Sequence, residues 1–184
     1  MKEGIPQRLV ITGGPGTGKS SIINYLQKEG HLCMPEISRE IVRQYKKKGI
    51  DQPFLNTPQA FSDLLLKKRI QQFEQVPNLF DQQVFFDRGI PDIAAYLNFS
   101  NQPISNTLKQ ACHQYRYDLV FLLSPWEEIY KTDAERYETF EQAVSIYFSI
   151  QKIYSQYGYQ WLEVPQLPLK NRVDFILQMS VKMS

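Results

Sequence analysis

The chain has 184 residues, enough for one sizeable hydrophobic core and too few for two comfortable domains. Hydrophobic residues make up 42% and the formal net charge is +2, which excludes a disordered chain and argues against a nucleic acid or membrane surface recruited by bulk charge. No stretch approaches the ~20 apolar residues of a membrane span, and Met1 to Arg8 holds no apolar run of signal-peptide length, so a soluble cytoplasmic protein is expected.

Arg8 to Thr12 (RLVIT) is a short β-branched run that stops at a glycine cluster, and Ser20 to Lys28 places Ile22, Ile23 and Leu26 on one helical face before Gly30. Leu32 to Met34 reads as a weaker second strand, and Ile37 to Lys47 as a helix closed by Gly49. The loop-like interval Gly49 to Pro58 is too short to divide domains; Thr57-Pro58 then reads as an N-cap and first-turn proline opening a helix to about Val76. Gln83 to Phe86 is a third strand, ending at Asp87-Arg88-Gly89, with helices at about Pro91 to Asn98 and Ser105 to Tyr115. Asp118 to Leu123 (DLVFLL) is the clearest strand. Pro125 is expected to open a helix, interrupted by the polar stretch Lys131 to Glu138 and continuing to about Tyr157, before a fifth strand at Tyr159 to Val164 and a closing helix at Leu169 to Met179.

Strands separated by helices require parallel pairing, hence a three-layer α/β fold with a five-stranded parallel sheet and helices on both faces, residues 1–184 forming one domain. Cys33 and Cys112 lie in apolar surroundings and are expected as free buried thiols. Asn98-Phe99-Ser100 matches a glycosylation sequon by chance.

Gly13-Gly14-Pro15-Gly16-Thr17-Gly18-Lys19-Ser20 fits G-x-x-x-x-G-K-[ST] at every defined position, after a predicted strand and before a predicted helix. Glycines let successive backbone N–H groups turn toward phosphate oxygens, and the helix start adds its unpaired donors and dipole. Lys19 supplies a cation to the β- and γ-phosphates, the Ser20 hydroxyl can ligate magnesium, and Ser21 adjoins the loop. The expected cofactors are ATP and Mg2+. A GTP switch would need N-K-x-D at a strand end; Asn171-Arg172-Val173-Asp174 has Arg for Lys and sits in an amphipathic stripe with Ile176 and Leu177.

Asp87 ends an apolar strand where a carboxylate holds magnesium, and Arg88 beside it can contact phosphate or orient an acid; the bland alternative is a strand-end turn. Glu36 ends the second strand and is followed by Arg39 and Glu40 at helical spacing. Ligands gather at the carboxyl ends of strands in an open parallel sheet, so Glu36 and Asp87 should converge on the phosphate loop, one serving the metal and one accepting a proton from an acceptor hydroxyl. Glu36 also reads as an acid satisfying a helix N-terminus. Lys131, Asp133, Arg136 and Glu138 read either as a charged surface helix or as a lid, about residues 125–140, that brings Arg136 to the transferring phosphoryl group.

Several segments in order and spacing carry a family resemblance: GGPGTGKS, PEISREIV, VFFDRGIPDIAAY, YRYDLVFLL, the D-A-E-R-Y-E segment and the late V-P-x-x-P. Together they resemble the AAA-type predicted ATPase/kinase family of small P-loop proteins, itself similar to the ribosylnicotinamide kinase domain of bacterial NAD regulators. The resemblance implies a kinase-like P-loop NTPase fold with a lid, ATP binding, and Glu36, Asp87, Arg88 and Arg136 in the active cleft. By similarity to small-molecule P-loop kinases it makes Glu36 a candidate base and Val164 to Pro168, including Pro165, a candidate adenine-side loop. The chain lacks the separate helical lid domain and sensor motifs of ring-forming motor ATPases.

The leading expectation is therefore an ATP- and magnesium-dependent kinase acting on a small hydroxyl-bearing molecule such as a nucleoside or nucleotide. Lys19, Glu36, Asp87, Arg88 and Arg136 would be catalytic, Arg39 and Arg88 would grip the acceptor, and Ser20 and Asp87 would hold the metal. The rival is an ATP-hydrolysing regulatory protein without a small-molecule acceptor; a polynucleotide end kinase would need a basic stripe that is not evident. His31 and His113 are isolated and assigned to packing or surface, and Lys46-Lys47-Lys48 to a solvated helix end. The aromatic residues between Tyr147 and Tyr157 are assigned to a core-facing helix.

Overall fold

A computed structural model describes residues 7–47, 49–76, 83–130 and 138–182. In chain order these form β1 (Gln7–Gly13), α1 (Lys19–Lys28), β2 (Leu32–Met34), α2 (Ser38–Lys46), α3 (Pro53–Asn56), α4 (Pro58–Glu74) and β3 (Gln83–Asp87). There follow α5 (Ile90–Phe99), α6 (Asn106–Gln114), β4 (Leu119–Leu123), a 3-10 turn at Glu127–Ile129, α7 (Phe140–Gln156), β5 (Leu162–Val164) and α8 (Leu169–Lys182). The strands make one parallel sheet in the order β2-β3-β1-β4-β5.

Alternation along the central strands divides the core in two. Val10, Val84, Phe86, Val120 and Leu122 point into the layer that packs α2, α4, α5, α6 and α7, and Cys112 lies in it. Leu9, Ile11, Phe85, Phe121 and Leu123 point the other way, against α1 and α8, and Cys33 lies there. Burial on both faces explains why these strands are nearly all apolar. Both cysteines are reduced and buried. No described helix is long and apolar enough to cross a membrane.

Three expectations are corrected. The helix expected from Pro125 is only the 3-10 turn, because Trp126 is extended (φ −135°, ψ 105°) and the Pro125 carbonyl accepts a hydrogen bond from Gln166 Nε2 at 2.9 Å. The fifth strand begins at Leu162 rather than Tyr159: Gly158, at φ 72°, turns the chain out of α7, and the Tyr159 N–H is used on the Tyr154 carbonyl at 3.0 Å. Thr57 does not cap α4 with its side chain, since its hydroxyl donates back to the Pro53 carbonyl at 3.1 Å, closing α3 instead.

Pairing of Ile11 with Asp87 and of Met34 with Phe86 aligns the carboxyl ends of β1, β3 and β2. The phosphate loop, Asp87-Arg88 and Glu36 therefore leave the sheet along one edge.

Candidate active site

The loop between β1 and α1 has Gly13, Gly16 and Gly18 at φ 149°, 77° and 87°. The latter two are left-handed values that favour glycine. Space is as restrictive as torsion. A side chain at Gly13 would meet the Leu123 carbonyl oxygen at 2.5 Å, and the Tyr130 ring lies directly over Gly16. Lys19 opens α1 and folds its ammonium back over the loop, donating to the carbonyls of Gly13 (2.9 Å) and Gly14 (2.6 Å) and to Thr17 Oγ1 (3.2 Å). Thr17 in turn donates to the Gly14 carbonyl at 3.0 Å. Burial, with Arg88 nearby, brings the Lys19 ammonium down to about 7, against the pull of Asp87, Glu36 and Asp92.

Pro15 to Ser21 line one wall of a cavity of about 1040 Å3, with Glu36, Arg39, Asp87 and Arg88 on the same cavity. Glu36 is gripped from two sides. Its Oε2 lies 2.6 Å from Arg88 Nε, its Oε1 lies 3.3 Å from Arg69 Nη2, and Oε1 also accepts the Ser38 N–H at 3.0 Å. Burial alone would raise the Glu36 pKa, but Arg69, Arg88 and the Ser38 hydrogen bonds outweigh it, so the group stays below the usual carboxylate value. Glu36 thus takes an N–H of the first turn of α2 and also lines the cavity.

Asp87 behaves oppositely. Burial and the neighbouring Glu36 push it up to about 6, partly offset by Lys19, Arg88 and Arg69. Its Oδ1 is buried without a hydrogen-bond partner. A buried carboxylate oxygen left unpaired is costly unless a cation or water meets it. With the exposed Ser20 hydroxyl on the first turn of α1, this donor pair fits magnesium shared with nucleotide phosphates. No cluster of three or more protein metal ligands occurs among the described residues, and magnesium at phosphates does not need one.

Arg88 adopts φ 71°, a left-handed conformation rare for a bulky side chain. Its Nη1 reaches the Gly13 carbonyl (3.1 Å) and Asp92 Oδ1 (3.3 Å), and its backbone N–H donates to the Ile11 carbonyl at 3.1 Å. Strain of this kind persists only where surrounding contacts over-determine it.

Three residues that sequence reasoning missed complete the site. Asp92, 1% exposed, accepts from the Gly89 N–H (2.8 Å), Tyr154 Oη (2.7 Å), Thr12 Oγ1 and Arg88. The signal for it was available, because Asp92 is the one charge in the otherwise apolar run GIPDIAAY. Arg69, 4% exposed, ties Glu36 to the Gly89 carbonyl (2.5 Å). Arg172, seen in the sequence only as a departure from a guanine motif, donates to the Thr17 carbonyl at 2.9 Å and lies 5.6 Å from the Trp126 ring. It lines the cavity together with Leu169, whereas Pro165 is not among the lining residues. Arg136, with the rest of residues 131–137, lies outside the described residues; at their borders Tyr130 Oη donates to the Glu138 carbonyl.

The fold is shared with several solved kinases. A deoxyadenosine kinase from M. mycoides, with products dCMP and a flexible dCDP bound, aligns at TM-score 0.65 and 18% identity over 96% of this chain and 100% of that one. Thymidylate kinase from Candida albicans aligns at 0.66 and 19% identity over 97% and 93%. NadR protein in complex with NR aligns at 0.75 and 13% identity over 97% of this chain and 51% of NadR. No curated protein sequence matches the chain. Residues 8–172 match the AAA domain family, and the chain, from its first strand to Arg172, belongs to that family.

Proposed function

We propose that this protein is an ATP- and magnesium-dependent phosphotransferase, a kinase of a small hydroxyl-bearing molecule. The observation that carries the reading is the position of Glu36: an ionised carboxylate, locked by Arg69 and Arg88, on the same cavity as the phosphate loop. The cavity runs on from the phosphate loop between α2, α4 and α5, lined by Val42, Phe61, Leu65 and Tyr96, which leaves room for an acceptor beside a bound nucleotide. Kinases of nucleosides and nucleotides share the fold, which supports the same reading.

The loop amides and Lys19 would bind the β- and γ-phosphates, the ammonium exchanging its loop carbonyls for phosphate oxygens. Ser20 and Asp87 would hold magnesium, which when bound neutralises charge between the β- and γ-phosphates. Arg88, on the same cavity, would stabilise charge that spreads over the transferring group. The acceptor hydroxyl attacks the γ-phosphorus, the bond to the β–γ bridging oxygen breaks, and ADP leaves with the electron pair. The hydroxyl proton passes to Glu36. A carboxylate of lowered pKa is a weak base, and a loose transition state asks little of it before bond formation is advanced, so its main task is to orient the hydroxyl.

The test is a panel of hydroxyl compounds incubated with the protein, magnesium and ATP labelled at the γ-phosphate. Transfer of label to one compound class supports the reading. If ATP binds but no compound takes the label, and phosphate is released at a rate indifferent to every compound, the reading fails in favour of a regulatory ATPase.

A further inference from the structure

The charges lining the cavity are distributed unevenly. Among the described residues, Lys19, Arg69 and Arg88 at its centre are met by Glu36, Asp87 and Asp92, while the buried Arg172 lies against the phosphate loop, donating to the Thr17 carbonyl. Further out, α2 turns Arg39, Arg43 and Lys46 to the same cavity, at i, i+4 and i+7 of one helical face. Arg43 lies back along this face, its Nε donating to the Arg39 carbonyl at 3.3 Å. That places its guanidinium on the side toward Glu36. Lys46, expected at a solvated helix end, is exposed and meets the exposed Asp51 at 3.5 Å, yet also lines the cavity. Glu138 lines it too, but follows residues 131–137 and belongs to the border near Gly16 rather than to α2. Glu40 points away from the cavity and pairs with Lys68 at 3.4 Å.

Other parts of the lining are different. Phe54 of α3, Phe61 of α4, and Tyr96 and Phe99 of α5 are flat and largely apolar. A ligand in this cavity meets aromatic side chains as well as a row of cations about 10 Å long from Arg39 to Lys46. Rings stack on aromatic faces with little regard to identity, whereas three cations on one helix face favour an anion.

We infer that the acceptor is itself phosphorylated: a nucleotide-like molecule that presents a free hydroxyl to Glu36 and carries an existing phosphate against Arg39, Arg43 and Lys46. This rests on the phosphotransferase reading and narrows it, from hydroxyl compounds in general to phosphate esters with a planar ring. Bond changes are those given above, since the existing phosphate is a handle and takes no part in them.

The experiment compares common nucleosides with their 5′-monophosphates as acceptors, in wild-type protein and in R43Q/K46Q. The monophosphates are expected to have KM values about tenfold or more below those of the matching nucleosides, with the advantage largely lost in R43Q/K46Q. The advantage should also shrink with added salt, because the stripe is exposed. Equal or better use of the nucleosides, or an undiminished monophosphate preference in the variant, overturns the inference while leaving a kinase in place. A second arm needs no turnover. With ADP and magnesium filling the phosphate loop, equilibrium dialysis of labelled 5′-monophosphates should show binding to wild type, binding weakened about tenfold or more in R43Q/K46Q, and weaker binding of the matching nucleosides. Dialysis that shows this without any label transfer keeps the anion subsite and removes the kinase reading; dialysis that shows no monophosphate binding removes the subsite.

Discussion

Glu36 and Asp87 are two carboxylates on one cavity whose surroundings drive them apart, one held ionised by guanidiniums, the other pushed up by burial and by its neighbour. Under the proposed function, that division would give orientation of the acceptor to Glu36 and the metal to Asp87. Glu36→Gln keeps an oxygen against Arg88 and Arg69 but removes the charge. Phosphoryl transfer is expected to fall by about 10²-fold, the scale of lost positioning, while nucleotide affinity, measured by titration calorimetry, stays at the wild-type level. Transfer at full rate in that variant would reduce Glu36 to an acid that merely holds two arginines. Lys19 and Asp87 also make nucleotide binding proton-linked. Lys19 titrates near 7 before a triphosphate arrives, and the ligand's negative charge must raise that value. Binding at pH about 8 should therefore take up a proton, and affinity should fall as pH rises through 7. Asp87 gives the opposite sign on the acid side. Below about 6 it is protonated, so magnesium-dependent binding should release a proton there and weaken as pH falls. Calorimetry in buffers of different ionisation enthalpy reads both, and Lys19→Ala should lose the uptake along with most of the affinity.

At the scale of elements, the start of α5 is where the site is assembled. Asp92 sits in its first turn and accepts four donors, from Gly89, Tyr154, Thr12 and Arg88, thereby fixing α5 to α7, to β1 and to the strained Arg88. Asp92→Asn would set an amide N–H2 against donors. A loss of about 3 kcal/mol, or a Tm drop of roughly 6–12 °C, is expected, together with slower transfer because Arg88 loses its anchor; an unchanged Tm would contradict this account. The phosphate loop was legible in the sequence because its chemistry is written in contiguous residues, and Glu36 and Asp87 because strand ends in a parallel sheet share an edge. Arg69 was not, because it sits beside Lys67 and Lys68 in one cationic run, and only tertiary packing decides that Arg69 turns inward while Lys67 stays exposed. The extent of β5 and the missing helix after Pro125 were misjudged for a related reason. The hydrogen bonds that end α7 and hold Pro125 come from residues distant in sequence or from a cap geometry that hydrophobic pattern does not encode.

At the scale of the molecule, one sheet carries two unequal layers, α1 and α8 on one face and the larger helical group on the other. The phosphate loop springs from the thin layer through α1, while Arg69 and Asp92 come from the thick one, so a bound nucleotide would bridge the two. The chain happens to hold one cysteine in each: Cys33 under α1 and Cys112 in α6. Burial pushes both thiols up to about 12, which leaves each on the order of a thousandfold less thiolate than a free cysteine. Together they form a native pair of stopwatches. Reaction with a disulfide reagent should be slow at both sites, and the ratio of the two rates tells whether the layers open as one unit or in turn. Cys33, on the three-residue edge strand β2, is expected to react first, and ATP with magnesium to slow it until the two clocks agree.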